Sequence, residues 1–383
     1  MAGLYIHVPF CVKRCVYCDF FSHTQMRYKE SYLSAVVEEM AMRRDYLAGE
    51  TLETVYFGGG TPSTLTAAEW EQIFEAIYRL FPVGETAEIT LEANPDDMTP
   101  AYVSSLRRLP FNRISMGVQS FRDEDLRFLC RRHTARQATE AVGLCRENGY
   151  GNLSIDLMYG LPGQTAALWE QNLEEALRLD IVHLSAYHLT YEEGTRLYRM
   201  KEAGHVRPVD EELSLSLFTM LTTRLKDAGY LHYEISSFAR PGFLSRHNSA
   251  YWTGKKYLGI GPSAHSYDTG SRQWNVSSLQ HYIKGIQKKV PCIETELLNI
   301  HNKYNEYILT RLRTCRGISL SYILTNFGEE KYNYCIMQAK RLVDTGFLRQ
   351  EGDKLLLSGK GIFVSDGLMC DLLWVDSYTK HGV

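Results

Sequence analysis

Short apolar, β-branched segments alternate with amphipathic segments along the first half of the chain. The amphipathic segments, such as YLSAVVEEMAMRRDYL and AALWEQNLEEALRL, have the 3.6-residue period of helices. The apolar segments are LYIHV (4–8), TVYF (54–57), EITLEA (88–93), RISMGV (113–118), NLSIDLMYG (152–160) and IVHLSAYHL (181–189). Near-continuous apolar strands between helices predict a parallel sheet covered by helices. Six units are too few for a closed eight-stranded barrel, so we predict an α/β fold, a partial, open (β/α)6 barrel over residues 1–240.

The pattern changes in the second half of the chain. Residues 241–295 are predicted to be a connecting region, and residues 377–383 a tail. Residues 296–376 show three helical segments and two short strands, typical of a small winged-helix-like α+β domain. A winged helix suggests DNA binding, but residues 301–383 hold eleven Lys and Arg against nine Asp and Glu. This weak positive charge favours a docking or lid domain over a DNA-binding one.

Composition and charge narrow the classes of function. The 383 residues are 44% hydrophobic, enough for one large core and a smaller unit. A net charge of -3 provides no basic field for nucleic acid, so we expect no nucleic-acid partner. Because no apolar run is long enough to span a bilayer and the start MAGLYIHVPFC lacks signal-peptide features, we expect a cytoplasmic protein. Six of nine cysteines are scattered singly and are expected to be reduced thiols.

The other three cysteines, Cys11, Cys15 and Cys18, fall within the segment CVKRCVYC. Structural zinc requires four ligands, and neither His7 nor His23 is spaced to complete a set with them. A four-iron cluster normally takes four cysteines, so three would leave one iron open to a small-molecule ligand. We favour this open cluster, while zinc with a missing ligand and incidental thiols remain alternatives.

Polar residues follow most of the predicted strands where each strand ends. They are GGGTPS (58–63), Glu92, Gln119, Asp156, Tyr187 and His188. In a barrel of this kind these ends form one rim, where binding and catalytic groups collect. Glycines there let backbone N–H groups approach a charged ligand closely. Polar groups converging on one rim beside a metal cluster indicate a ligand site rather than packing.

These motifs resemble a known family. CVKRCVYC resembles the C-x-x-x-C-x-x-C signature of radical S-adenosylmethionine (SAM) proteins, with Tyr17 just before the last cysteine. The order YIHVPFC, YFGGGTPS, LEANPDD, ISMGVQSF, IDLMYGLPGQT and YHLTYEEGT resembles the branch that contains oxygen-independent coproporphyrinogen III oxidase and the HemW-type heme chaperones. The resemblance runs from residue 4 to beyond residue 265.

The resemblance implies a [4Fe-4S] cluster on Cys11, Cys15 and Cys18, with SAM on the fourth iron and an electron donor for the cluster. Reductive SAM cleavage would be cofactor chemistry, with the protein supplying orientation, and no catalytic residue is assigned. The implied SAM contacts are Tyr5 and Tyr17 near SAM or the cluster, Gly59, Gly60 and Thr61 at the methionine end, and Glu92 at the amino-acid or ribose side. Gln119, Arg131 and Asp156 match positions that contact a second SAM in the oxidase, although packing or contacts to the first SAM would equally explain them.

Two departures separate this chain from the oxidase pattern. The oxidase has a further cysteine two residues after the third, where this chain has Phe20. The oxidase also carries a sizeable segment before its cluster strand, whereas this chain reaches Cys11 almost at once. Both features match the HemW type, so we expect little or no oxidase activity.

The segment RHNSAYWTGKKYLGIGPSAHSY (246–267) carries a candidate heme site. His247 could be an axial iron ligand, and Tyr251 and Trp252 offer flat faces to a porphyrin. From the residues alone, a packed core histidine is the stronger interpretation. The resemblance favours heme, because H-N-x-x-Y-W is the motif proposed for heme binding in HemW-type proteins. His265 is a second candidate ligand.

Three functions therefore remain open. The first is a heme chaperone that binds one heme per chain and passes it to an acceptor apoprotein that the sequence does not identify. The second is an oxygen-independent coproporphyrinogen III oxidase or another radical SAM oxidoreductase of porphyrin metabolism. The third is a cluster-bearing DNA-binding sensor.

Overall fold

The computed structural model describes residues 2–375 and is built on a twelve-stranded sheet. Its strands are β1 (Ala2–Val8), β2 (Leu52–Gly59), β3 (Val83–Ala93), β4 (Arg113–Gln119), β5 (Leu153–Tyr159), β6 (His183–His188), β7 (Leu231–Glu234), β8 (Ser237–Ala239), β9 (Tyr257–Ile260), β10 (His265–Tyr267), β11 (Ser271–Asn275) and β12 (Ile293–Leu297). The order across the sheet is β12-β11-β10-β9-β1-β2-β3-β4-β5-β6-β8-β7. Strands β1 to β6 are parallel and lie in chain order, which confirms the predicted α/β partial barrel.

Helices connect successive strands and cover the outer face of the sheet. They are α1 (Lys29–Met42), α2 (Ala67–Leu80), α3 (Pro100–Leu106), α4 (Asp123–Phe128), α5 (Ala135–Glu147), α6 (Ala166–Arg178), α7 (Arg196–Glu202), α8 (Glu211–Asp227), α9 (Arg246–Trp252) and α10 (Leu279–Gln287). Short 3-10 helices span Met26–Tyr28, Pro62–Thr64 and Pro95–Asp97. Capping boxes begin α2 at Thr66 and α5 at Thr134, where each side chain accepts a backbone N–H of the first turn.

The two faces of the parallel strands differ in polarity. On β2, Phe57 packs edge-on against Trp70 of α2, with ring centroids 4.8 Å apart. Its neighbour Tyr56 faces the other way and donates a hydrogen bond to Glu92 of β3. Side chains alternate along a strand, so the apolar face lies against the helices and the polar face lines the barrel lumen. The lumen is therefore suited to a polar ligand.

The segment predicted as a connecting region extends the sheet. Strand β9 pairs in parallel with β1, from Gly3 opposite Tyr257 to Ile6 opposite Ile260, and β10 to β12 follow as antiparallel strands. Buried Glu39 anchors this extension, accepting hydrogen bonds from Gly261 N–H, Asn275 and Tyr282. The proposed division at residues 240 and 295 stays a prediction.

The C-terminal part has its own hydrophobic core. It contains α11 (Ile300–Leu312), α12 (Leu320–Asp344), α13 (Gly359–Phe363) and α14 (Ser365–Leu372), with β13 (Ile318–Ser319), β14 (Leu348–Glu351) and β15 (Lys354–Leu357) in the order β13-β15-β14. Gly328 interrupts α12 with a φ of 85°. This part has three strands and four helices, one more of each than predicted. Strand β13 has only two residues and so leaves no periodic signal in the sequence.

Residue 376 and the predicted tail, 377–383, lie outside the described residues. Between residues 2 and 375, no helix has both the length and the apolar character needed to cross a bilayer.

Candidate functional site

The three clustered cysteines lie in the loop that follows β1. Cys11 is buried, and its Sγ atom accepts a hydrogen bond from Thr61 Oγ1 at 3.4 Å. Burial raises the pKa of Cys11, and burial together with the neighbouring thiols raises that of Cys18 to about 11. Within the described part of the chain, no three His, Cys, Asp or Glu side chains converge on one point as ligands of a single ion do. These neighbouring thiols are costly to ionise. A cationic multi-iron group would offset the charge of the thiolates and would bind each sulfur at a different iron, so the three cysteines fit such a group.

Arg131 ties this loop to the ends of two strands. Its Nη1 donates to Cys15 Sγ at 3.5 Å, while Nη2 donates to Asn94 Oδ1 and to the Gly117 carbonyl oxygen, both at 2.6 Å. The residue before it, Cys130, has a left-handed backbone with a φ of 60°. Arg131 therefore contacts one of the three neighbouring cysteines directly, a contact that the sequence did not indicate.

The glycine segment after β2 packs directly on the chain entering the cysteine loop. A Cβ atom at Gly60 would lie 2.8 to 2.9 Å from backbone atoms of Val8, Pro9 and Phe10. At Gly59 the φ is 107°, and a Cβ there would lie 2.6 Å from the His7 ring. Only glycine permits both approaches, so this packing accounts for two glycines of the motif.

Two carboxyl groups, Glu92 and Asp156, face the lumen below the glycine segment. Glu92 accepts a hydrogen bond from the Tyr56 hydroxyl at 2.7 Å and one from the Gly59 N–H at 3.2 Å. Burial, reinforced by the Asp156 charge, raises the pKa of Glu92 to about 7, and burial raises that of Asp156 to about 6. The Gly59 bond shows that Glu92 and the glycine segment form one wall of the lumen.

Sequence reasoning missed Arg113, the buried first residue of β4. The side chain is 1% exposed, and its Nε and Nη1 atoms have no partner within residues 2–375. Burial raises the pKa of Asp156, and the Arg113 charge partly opposes that rise. Burial lowers the pKa of His247, and the Arg113 charge lowers it further. The polar–apolar alternation of RISMGV was the available signal, since Arg113 and Ser115 share the face opposite Ile114.

The remaining predicted SAM residues lie at the same rim. Tyr5 stacks on Tyr56 with ring centroids 6.2 Å apart, and its hydroxyl contacts His7 Nδ1 at 3.1 Å. Tyr17, within the cysteine loop, packs against a buried cluster that includes Val16 and Leu129. Gln119 ends β4 with a left-handed φ of 66°. The structure thus brings the strand-end residues and the cysteines to one end of the barrel.

His247 lies inside the barrel rather than on a surface. It is 1% exposed, its Nδ1 contacts Thr54 Oγ1 and its Nε2 contacts Tyr251 Oη, both at 2.8 Å. Its ring stacks on Tyr56 at 4.9 Å. Burial and the Arg113 charge lower the pKa of His247 to about 3, so the ring is neutral. In this arrangement neither ring nitrogen has a free lone pair for a metal.

A cleft of about 900 Å³ separates the extended sheet from the C-terminal part. Its aromatic lining comes from the cysteine loop, the sheet and the C-terminal helices: Tyr5, Phe20, Phe21, Tyr251, Trp252, Tyr257, Tyr267, Tyr307, Tyr322 and Phe327. Three cations, Arg272, Lys303 and Arg311, and two histidines, His7 and His265, also line it. Flat aromatic walls with a few cations suit a flat apolar ligand that carries anionic groups.

Comparison with known proteins identifies the class. The model of the Radical SAM superfamily matches residues 5–176. The heme chaperone HemW of Bacillus subtilis (strain 168) is 32% identical over 364 residues, covering 94% of this chain and 96% of that protein. HemW of Mycobacterium tuberculosis (strain CDC 1551 / Oshkosh) is 31% identical over 376 residues, covering 97% and 94%.

The fold is also similar to a solved structure. Coproporphyrinogen III oxidase (HemN) from Escherichia coli, a radical SAM enzyme, superposes with a TM-score of 0.85, covering 98% of this chain and 90% of that chain. At 22% identity this likeness establishes the shared fold alone.

The fold and the superfamily match define a radical SAM protein. Within that class the chain belongs to the HemW family, because the two relatives align with it over more than nine-tenths of its length. The resemblance noted from the motifs is confirmed at this level.

Proposed function

We propose that this protein is a heme chaperone that binds one heme in the cleft and passes it to an acceptor apoprotein in the cytoplasm. The observation that carries the proposal is the cleft itself, with its aromatic walls and three cations. The heme chaperones named HemW, with which the chain shares its family, support the same function. Tyr251 and Trp252, from the proposed heme motif, form part of the cleft wall.

A [4Fe-4S] cluster on Cys11, Cys15 and Cys18, with SAM at the open iron, is the second part of the proposal. When bound and reduced by an electron donor, this group supplies reductive SAM chemistry. Gly59, Gly60, Thr61 and Glu92 would orient SAM, with Tyr5 and Tyr17 beside it. Gln119, Arg131 and Asp156 would extend the site inward. The Arg131 bond to Cys15 and the Thr61 bond to Cys11 support this arrangement.

Iron analysis tests the cluster assignment. Each of the variants Cys11→Ala, Cys15→Ala and Cys18→Ala should retain much less iron and sulfide than wild type after anaerobic reconstitution. Cys370→Ala is the matched control, because Cys370 is an exposed, isolated thiol on α14. Wild-type iron content in all three single variants would refute the assignment.

A heme titration on the same reconstituted sample tests the chaperone function. We expect one heme per chain and release of that heme to an apoprotein added as acceptor. An assay with coproporphyrinogen III, SAM and a reductant distinguishes the alternative enzyme. Turnover at the rate of a genuine oxidase, without heme binding, would refute the chaperone proposal.

A further inference from the structure

Heme iron binds a neutral imidazole through a ring nitrogen whose lone pair is free. Two histidines line the cleft, and their hydrogen bonding differs. His7 has both nitrogens engaged, since Nε2 donates to the Phe21 carbonyl oxygen at 2.9 Å and Nδ1 accepts from the Tyr5 hydroxyl at 3.1 Å. The ring of His265 makes no hydrogen bond to any residue between 2 and 375, so its imidazole is available to a ligand.

His265 is also held at a defined position in the cleft wall. It lies opposite Trp274 in the β10–β11 pair, and the two rings stack with centroids 6.0 Å apart. Behind it, the His265 backbone packs on Gly259, where a Cβ atom would lie 2.0 Å from the His265 carbonyl oxygen. Partial burial and the Arg272 charge lower the pKa of His265, which favours the neutral ring.

The charges around His265 match the edge of a heme. Arg272 is already paired with Glu306, and Arg311 donates to the Thr253 carbonyl oxygen at 3.3 Å. Lys303 of α11 faces the cleft and has no ion pair within the described part of the chain. Lys303 and His265 line the same cleft, so an ammonium group without an ion pair is available to a propionate and a free imidazole is available to iron.

We propose that His265 supplies the axial imidazole to heme iron in this cleft, and that His247 is a positioning residue. This inference rests on the proposed heme-binding function. Both ring nitrogens of His247 are hydrogen-bonded, one to the Thr54 hydroxyl and the other to the Tyr251 hydroxyl. His247 therefore holds the Tyr251 ring in the cleft wall. Loss of His247 would therefore weaken heme binding indirectly, without changing the iron ligand.

The test is a heme titration of full-length wild type, His265→Ala, His265→Cys and His247→Gln, followed at the Soret band. His281→Ala is the matched control, because His281 is exposed on α10, outside the cleft. We expect His265→Ala to lose the wild-type Soret position and to weaken affinity by on the order of tenfold or more. Added imidazole should restore the band position.

Two further readouts separate ligation from a structural role. His265→Cys should give the distinct spectrum of a thiolate ligand, which only direct coordination produces. His247→Gln should keep the wild-type Soret position even where affinity falls. If His265→Ala and His265→Cys both keep the wild-type band and affinity, or if His247→Gln alone loses the band, the inference is wrong although the heme-binding function stands. If wild type itself binds no heme, the proposed function fails as well.

Discussion

Replacing Gly60 with alanine tests whether the glycine segment holds the cysteine loop in place. The new methyl group would lie 2.8 Å from the Pro9 carbonyl carbon and 2.9 Å from the Phe10 and Val8 carbonyl oxygens. These are backbone atoms, which cannot rotate aside as a side chain does. The Gly60 N–H also bonds the Val8 carbonyl oxygen at 2.8 Å, so the two segments cannot separate freely.

Overpacking of this kind costs ~1–3 kcal/mol, and we expect Gly60→Ala to lower the free energy of unfolding by that amount. Iron retention should fall too, because Phe10 leads directly into Cys11. Gly143→Ala is the control. Gly143 lies within α5 with no atom within 4 Å of its added Cβ, and alanine there should stabilise by ~1 kcal/mol.

The assay is denaturant unfolding of both variants beside wild type, with iron and sulfide measured after anaerobic reconstitution. The same chemical change should shift stability in opposite directions at the two sites. Equal shifts for both variants, or full iron content with unchanged stability in Gly60→Ala, would refute the reasoning.

Three more predictions follow from the site. Burial raises the pKa of Glu92 from 4.5 to about 7, so the folded state binds more protons than the unfolded state between these pH values. The free energy of unfolding should therefore fall by ~3 kcal/mol as the pH rises from about 4.5 to about 7. Glu92→Gln should flatten that slope in pH-dependent denaturation, and an unchanged slope would contradict it. Arg131→Met should lower the free energy of unfolding by ~1–3 kcal/mol and reduce iron retention, since two partly buried acceptors lose their donor. Exposed Arg136→Met should change neither. With Phe20 in place of the oxidase cysteine, coproporphyrinogen turnover should be far below that of a genuine oxidase assayed in parallel.

The sequence by itself determined the parallel half of the barrel. Four of the six predicted strand runs, TVYF and RISMGV among them, lie inside observed strands, and the runs 152–160 and 181–189 overrun β5 and β6 by one or two residues at each end. Apolar runs bounded by turn residues are a local signal, which is why the strands could be predicted and their exact ends could not. The spacing of Cys11, Cys15 and Cys18 is likewise local. Cysteines so near in the chain share one loop in any fold, so a common site could be predicted without knowing the rest of the structure.

The tertiary structure decided features that depend on contacts between distant segments. Strand β9 pairs with β1 although Gly3 and Tyr257 are far apart in the chain, and this pairing turned a predicted connection into part of the sheet. Arg113 of β4 acts electrostatically on Asp156 of β5 and on His247 of α9, and no pattern within one strand reveals that the fold brings these three residues together.

The two candidate heme ligands, His247 and His265, show most clearly that contacts between distant segments cannot be predicted from the sequence alone. The sequence favours His247 over His265 because of the motif around His247, although both residues stand among aromatic and cationic neighbours. Thr54 of β2 bonds one nitrogen of His247, and Tyr251 bonds the other, whereas the His265 ring makes no hydrogen bond within residues 2–375. Whether an imidazole keeps a free lone pair depends on partners that only folding brings near, so the tertiary structure alone distinguishes the two residues in this respect.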